Sequence, residues 1–339
     1  MEKMILTVKH LSVSFTQYGR GLRRREIQVI KDLSLSVSVG EIVAVVGSSG
    51  SGKSLLAHAV MGILPYNSRM SGQMEFDGRM LDEKEKARLR GKELFLVPQS
   101  VAYLDPLMKV GEQVTGGDKS PAARERCRDV LSRYGLGTET AGMYPYQLSG
   151  GMARRVLIST AVMGTPRLVI ADEPTPGVPT ETALRVLGHF REIAEQGAGV
   201  LLITHDLELA VKTADRIVVF YGGMAVEECP AGDFETPGRL RHPYTRALCD
   251  AMPERAFTWI PGTQPAVIRE EAGGCPFAGR CRNGRKRSAA VRLRMRRKTA
   301  VRAVCTGVNT EKGGGPRGAS GGKYRLSLRR EGPGNLEKL

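Results

Sequence analysis

Apolar and polar positions alternate through Leu33, Leu35, Val37 and Val39 on one side and Ser34, Ser36, Ser38 and Gly40 on the other. A period of two predicts a half-buried strand. Glu41-Ile42-Val43-Ala44-Val45-Val46 follows as a short continuous apolar run, the pattern of a strand covered on both faces. A Gly/Ser loop ends it, and a helix is predicted from Lys53 onward. Two more runs of the buried kind come later, Leu168-Val169-Ile170-Ala171 and Val200-Leu201-Leu202-Ile203. Between them Ala183, Leu187, Phe190 and Ala194 fall at helical spacing, and Gly197 marks the end of that helix. Arg216–Phe220 then runs into Gly222-Gly223, a hairpin signal. Strands alternating with helices predict an α/β domain with a mainly parallel sheet.

Residues 98–160 break this rhythm. They are rich in charge, lack strong strand runs and contain helical stretches such as Ala122–Tyr134, so they read as a helical insert. From about Cys229 prolines 230, 237, 243, 253, 261, 265 and 276 punctuate an irregular extension. After Cys281 the chain is Arg/Gly-rich with little hydrophobic pattern, the composition of a disordered tail. The expected organisation is therefore an α/β core at 1–97 and 161–228, a helical subdomain at 98–160, an extension at 229–281 and a basic tail at 282–339.

Composition narrows the classes. The chain has 339 residues, 41% of them apolar and 25% charged, enough for a sizeable core. No apolar run approaches the ~18 residues of a membrane span. Met1-Glu2-Lys3-Met4 leads straight into a β-like run rather than a signal-peptide pattern. Six cysteines (127, 229, 249, 275, 281 and 305) are too few and too scattered for a secreted disulfide scaffold. The net charge of +16 misleads as an average. Gly279–Leu339 holds 18 Lys+Arg against 3 Asp+Glu, while the preceding 278 residues hold 33 against 32. The body is nearly neutral, so its charge gives no argument for nucleic-acid binding.

The chemistry starts at Gly47-Ser48-Ser49-Gly50-Ser51-Gly52-Lys53-Ser54, which matches the phosphate-binding pattern G-x-x-x-x-G-K-[S/T] in its required context, after a buried strand and opening a helix. The glycines let backbone N–H groups approach phosphate, and the helix N-terminus adds its positive end. Lys53 is placed to reach the β/γ phosphates, and the Ser54 hydroxyl to ligate Mg²⁺. A second acidic element is needed, and the strand ending in Asp172-Glu173 supplies it. Asp172 suits Mg²⁺, through water. Glu173 suits polarising the attacking water.

Leu148-Ser149-Gly150-Gly151-Met152 precedes the Asp172-Glu173 pair by about twenty residues. With the phosphate loop, Gln99 and His205, the order of motifs resembles the ATPase subunit of an ABC transporter, and the likeness extends over roughly 1–281. The resemblance implies a P-loop ABC ATPase fold with a helical insert, and ATP and Mg²⁺ as its small molecules. It assigns Gln99 to the loop that senses Mg²⁺. It assigns Ser149, Gly150 and Gly151 to the signature that closes over ATP held by a partner subunit, and His205 to the γ-phosphate switch. Phe15 aligns with the aromatic that stacks on adenine, with Tyr18 as substitute if the loop is shifted. The catalytic set it implies is Lys53, Glu173 and His205. One motif departs from the pattern: Pro179 stands where an Asp that crosses the dimer interface is expected. Proline supplies neither carboxylate nor N–H, which puts communication between two ATP sites in doubt.

Two features resemble the nickel and di-/oligopeptide importer branch. They are the Met152 ending of the signature and the extension with Arg241-His242-Pro243-Tyr244-Thr245, Ile260-Pro261-Gly262 and Gly274-Cys275-Pro276-Phe277 through Cys281. The branch implies an ATP-hydrolysing subunit at the cytoplasmic face of the membrane. Its partners would be two permeases, a second, related ATPase and an extracytoplasmic binding protein. The insert, including Tyr103-Leu104-Asp105-Pro106, would take up the permeases' coupling helices. Some relatives hold an iron–sulfur cluster on four cysteines of the extension. Here Cys275 and Cys281 are kept, a third near 288 is missing, and no cluster is expected. The tail leaves three readings open: a segment attracted to anionic lipid, a nucleic-acid contact, or an out-of-frame translation of a GC-rich gene, which its abrupt onset favours. The rival function is a non-transport ABC ATPase acting on nucleic acid. A further alternative is a regulatory subunit inactivated at the Pro179 loop.

Overall fold

The computed structural model describes residues 3–18, 24–175, 180–263 and 274–281, together with the backbone of Arg302–Ala303. Pro179 and the basic tail other than that dipeptide lie outside the described residues. The chain opens on two long strands, β1 (Met4–Tyr18) and β2 (Arg24–Ser38), and continues through β3 (Ile42–Val46), α1 (Lys53–Met61), β4 (Ser68–Phe76), β5 (Arg79–Met80), α2 (Glu83–Leu89) and β6 (Leu94–Val97). The insert contributes α3 (Val110–Val114), α4 (Pro121–Arg133) and α5 (Gly150–Val162). Then come β7 (Leu168–Asp172), α6 (Thr180–Glu195), β8 (Gly199–Thr204), α7 (Leu207–Thr213), β9 (Arg216–Tyr221), β10 (Met224–Pro230), α8 (Pro243–Asp250) and the two-residue β11 (Arg302–Ala303).

One sheet is antiparallel, in the order β2-β1-β4-β5. The other runs β11-β10-β9-β3-β8-β7-β6. Its members from β9 to β6 are parallel, and β10 and β11 add an antiparallel edge. The continuous apolar run of β3 has its expected cause. Ile42, Ala44 and Val46 pack into a core shared with α6 and the extension, whereas Val43 and Val45 pack with α1 and the antiparallel sheet. Both faces are covered, so no polar position is tolerated.

Leu33, Leu35 and Val37 are buried as their alternation predicts, but Val39 is 39% exposed. Strand β2 stops at Ser38, and the chain turns at Gly40, where φ is +77°. Helix α4 starts where its caps dictate: Ser120 Oγ accepts from Ala123 N–H at 3.2 Å, and Pro121 sits at the first helical position. The insert has its own core, built on Val110, Leu131, Leu136, Val156 and Leu157. The β9–β10 turn uses Gly222 and Gly223 at φ +56° and +82°, the left-handed pair that a two-residue hairpin demands.

The extension is pinned to the parallel sheet by a buried carboxylate. Glu227, on β10, is fully buried and accepts from the N–H groups of Arg241 (2.7 Å) and His242 (3.0 Å), just ahead of α8. Among the described residues no helix is long and apolar enough to cross a membrane.

Candidate functional site

The parallel strands deliver their chemistry at their carboxyl ends, where open α/β sheets bind ligands. The loop after β3 is Gly47–Gly52, β6 leads to Gln99, β7 ends at Asp172-Glu173, and β8 leads to His205. Gly47 has a packing reason: a Cβ there would lie 2.3 Å from the Phe220 carbonyl oxygen of β9. Gly50 and Gly52 take φ of +74° and +100°.

Lys53 is nearly buried, and its ammonium donates to the Gly47 and Ser48 carbonyls at 2.8 and 3.0 Å. Burial pushes its pKa below the usual lysine value, and the charges of Glu173 and Asp172 work against that fall. Ser54 Oγ donates to Asp172 Oδ1 at 3.1 Å. Burial raises the Asp172 pKa, the Ser54 hydroxyl opposes the rise, and the neighbouring Glu173 charge adds to it. Glu173 Oε2 accepts from Gln99 Nε2 at 2.8 Å, and Glu173 Oε1 lies 3.3 Å from His205 Nδ1. Lys53, Ser54, Gln99, Asp172, Glu173 and His205 thus form one connected cluster.

This cluster and loop fit a nucleotide phosphate with its cation. The buried Ser51 Oγ has no hydrogen-bond partner in the loop. Ser54 and Asp172 set two hard oxygen donors side by side, the chemistry Mg²⁺ prefers. Gln99 is placed against Glu173 rather than against the Ser54–Asp172 pair.

The signature residues stand apart from the cluster. Ser149 caps α5, accepting from Met152 N–H at 3.2 Å. Ser149, Gly150 and Gly151 are exposed, and a Cβ on either glycine would meet nothing of this chain within 4 Å. Phe15 is half-buried and packs on the core beneath the antiparallel sheet, whereas Tyr18 is 62% exposed. In the extension, Cys275 Sγ lies 3.3 Å from His242 Nε2 and Cys281 is buried. Cys305 lies outside the described residues.

Sequence reasoning missed Arg154. It lies one turn into α5, and its guanidinium donates to the Glu173 carbonyl and the Gln99 carbonyl, both at 3.0 Å. Glu173 itself sits at φ +44°, a conformation strained for a residue with a side chain. The strained peptide is held from two sides, by Arg154 at its carbonyl and by its own N–H donating to Ile203 O at 2.8 Å. No local pattern announces this role, because both acceptors are backbone atoms far away in sequence. Arg154→Met keeps the unbranched apolar stem and removes both donors. Turnover is expected to fall about tenfold, the equivalent of one charge-assisted hydrogen bond, while nucleotide binding persists. Steady-state ATPase and nucleotide-binding assays check this, and unchanged turnover would exclude the positioning role.

Residues 30–176 match the ABC transporter family, and residues 226–287 match the oligopeptide/dipeptide transporter C-terminal region. The dipeptide transport ATP-binding protein DppD of Escherichia coli is 36% identical over 298 residues, spanning 82% of this chain and 88% of the relative. The oligopeptide transport ATP-binding protein OppD of Bacillus subtilis is 34% identical over 293 residues, 79% of each chain. Among solved structures, a dimeric ATP-binding cassette in a post-hydrolysis state with ADP and phosphate superposes with a TM-score of 0.58 at 26% identity. That match covers 67% of this chain and 98% of the cassette. The protein cbiO1 of Clostridium perfringens, part of an ABC transporter complex, gives a TM-score of 0.57 at 25% identity, covering 69% and 92%.

Proposed function

We infer that this chain, which belongs to the ABC transporter family of ATP-binding proteins and carries the oligopeptide/dipeptide transporter C-terminal region, powers the uptake of peptides through partner permeases. As a member of this ATPase family it binds and hydrolyses ATP. The observation that carries the reading is the single cluster at the strand ends, in which a loop lysine, a hydroxyl–carboxylate pair and a glutamate–histidine pair meet.

In this reading the backbone of Gly47–Gly52 cradles the phosphates, and Lys53 exchanges its two carbonyl partners for phosphate oxygens. Ser54 and Asp172 hold Mg²⁺, which neutralises phosphate charge when bound. Glu173 orients the attacking water and takes up its proton, with Gln99 and His205 fixing the carboxylate between them. Ser149, Gly150 and Gly151 complete the ATP site of a second ATPase subunit. Their exposure, and the open space around both glycines, support a role outside this chain. Phe15, or Tyr18 with the loop shifted, stacks on adenine. In this reading helix α5 carries the signature in the helical subdomain and, through Arg154, reaches the Glu173 and Gln99 carbonyls of the core.

The names of the relatives favour peptide over nickel as cargo. The partners in this reading are two permeases, a related ATPase and an extracytoplasmic binding protein, which places the chain at the cytoplasmic face of the membrane. Tagging the chain, solubilising membranes of its native host in mild detergent and identifying the co-purifying proteins tests this. Two permeases and a second ATPase are expected. Recovery with ribosomes or DNA-bound proteins and no permease would overturn the reading.

A further inference from the structure

The extension holds a sulfur–imidazole pair that none of the roles proposed above uses. His242, the cap residue of α8, is fully buried, and its Nε2 lies 3.3 Å from Cys275 Sγ. The ring is fixed by its surroundings. The His242 N–H donates to the buried Glu227 carboxylate at 3.0 Å, and His242 Nδ1 accepts the Tyr244 N–H at 3.1 Å. A ring nitrogen that accepts a hydrogen bond carries no hydrogen, so the proton of the neutral imidazole sits on Nε2, facing the sulfur. His242 is thus a donor to Cys275. It is not the base of a nucleophile–base pair, which would need Nε2 bare.

The Cys275 side is fixed as well. Its carbonyl accepts the Ala278 N–H at 3.0 Å. Pro276 lies against the β9–β10 turn, where a Cβ on Gly222 would come within 2.8 Å of the proline Cβ. Phe277 is buried, with its ring 5.4 Å from that of Tyr221 and 5.3 Å from that of Tyr244. Cys275 itself is half-buried, whereas Cys127, Cys229, Cys249 and Cys281 are buried. Burial pushes the thiols of Cys127 and Cys249 up, and that of Cys229 up to about 12. Among the described cysteines, Cys275 alone combines access from solvent with a histidine donor at its sulfur.

We propose that Cys275 is a modification site of this chain, a thiol that exchanges with low-molecular-weight disulfides, with His242 as the positioning residue that prepares its sulfur. A hydrogen bond donated to sulfur favours the thiolate, which is the attacking form. In the exchange the Cys275 thiolate attacks one sulfur of R–S–S–R. A Cys275–S–S–R bond forms and the old S–S bond breaks. The departing thiolate takes up the proton that Cys275 lost, so the disulfide is the oxidant and no other is needed. The titratable and charged groups packed around the pair are Glu227 of β10, Tyr244 of α8, Tyr221 of β9 and Arg280, whose guanidinium lies 5.8 Å from the Phe277 ring centre. His242→Phe alters none of them.

The test treats the full-length chain with dipyridyl disulfide, follows the released thiopyridone and locates the modified peptide by mass spectrometry. Wild type is compared with Cys275→Ser, His242→Phe and His242→Gln, whose amide offers the sulfur a donor in place of Nε2. Thermal midpoints check folding. With limiting reagent the label is expected on Cys275, and Cys275→Ser loses the fast phase. At about pH 7, His242→Phe is expected to react about three- to twentyfold more slowly than wild type, with His242→Gln between them. Above about pH 9.5 the difference is expected to vanish or reverse, because a thiolate without its donor is the stronger nucleophile. First label on any other cysteine, Cys305 included, overturns the inference. So does wild-type speed in His242→Phe at about pH 7, or a slowing of that variant that is the same at every pH. If His242→Phe does not fold, the wild-type pH–rate profile decides. Its midpoint is expected about one to two pH units below that of glutathione, and a midpoint at or above that of glutathione overturns the inference.

Discussion

Glu173→Gln is expected to stop ATP turnover while leaving ATP bound. The substitution keeps the size of the side chain and its reach to Gln99 and His205, but an amide accepts no proton from water. A positioned general base contributes on the order of 10²- to 10⁴-fold to rate, and a loss in that range is expected for turnover in the assembled complex. Binding draws on other groups: the Gly47–Gly52 backbone, Lys53 and the Ser54–Asp172 pair do not depend on the Glu173 charge for their geometry. Single-turnover hydrolysis and nucleotide retention, measured on the same preparation, separate the two effects. Turnover near the wild-type rate would remove Glu173 from the chemical step.

Lys53→Ala is expected to act on binding first. The ammonium is held by two carbonyls at the mouth of the loop and lies near both carboxylates of the β7 end. Alanine leaves those carbonyls without their donor and removes the ammonium to which the proposed function gives the phosphate contact. A hydrogen bond to a charged group contributes about 1.5–3 kcal/mol, which converts to roughly 10- to 150-fold weaker nucleotide binding. The loss falls on every nucleotide with a β-phosphate, so ADP and ATP affinities are expected to drop together. Equilibrium titration with both nucleotides checks this, and unaltered affinity for either contradicts the role.

The parts of this site that were legible in the sequence share a physical property: the cause lies within a few residues of the effect. Strands β3, β7 and β8 were visible as continuous apolar runs because both of their faces are covered, and the phosphate loop because its glycines must make a local turn. The helix over α4 was visible from its charge pattern, and its start follows from the Ser120 cap and Pro121. Where the cause is long-range, the sequence was silent. Nothing near Glu173 announces that its backbone sits at φ +44° between Ile203 and Arg154. Nothing in the extension announces that the N–H groups of Arg241 and His242 meet the buried Glu227 carboxylate of β10. Val39 shows the opposite failure. Its alternation was real, but the strand had already turned away, so periodicity overran the element by one residue.

The separation of Gln99 from the Ser54–Asp172 pair has the same origin. The motif order fixes which loop carries Gln99, but the loop's course after β6 decides which oxygen its amide meets. In this conformation that oxygen belongs to Glu173. Ser149, Gly150 and Gly151 were legible only as a motif, and within this chain the space around both glycines is open.

The most direct test of the account is ATP hydrolysis by this chain in proteoliposomes with the permeases and second ATPase that the proposed function gives it as partners, with and without peptide-loaded binding protein. The account predicts that peptide uptake and ATP hydrolysis rise together and that Glu173→Gln in this chain abolishes both. Hydrolysis that ignores peptide, or uptake that persists in Glu173→Gln, would contradict it.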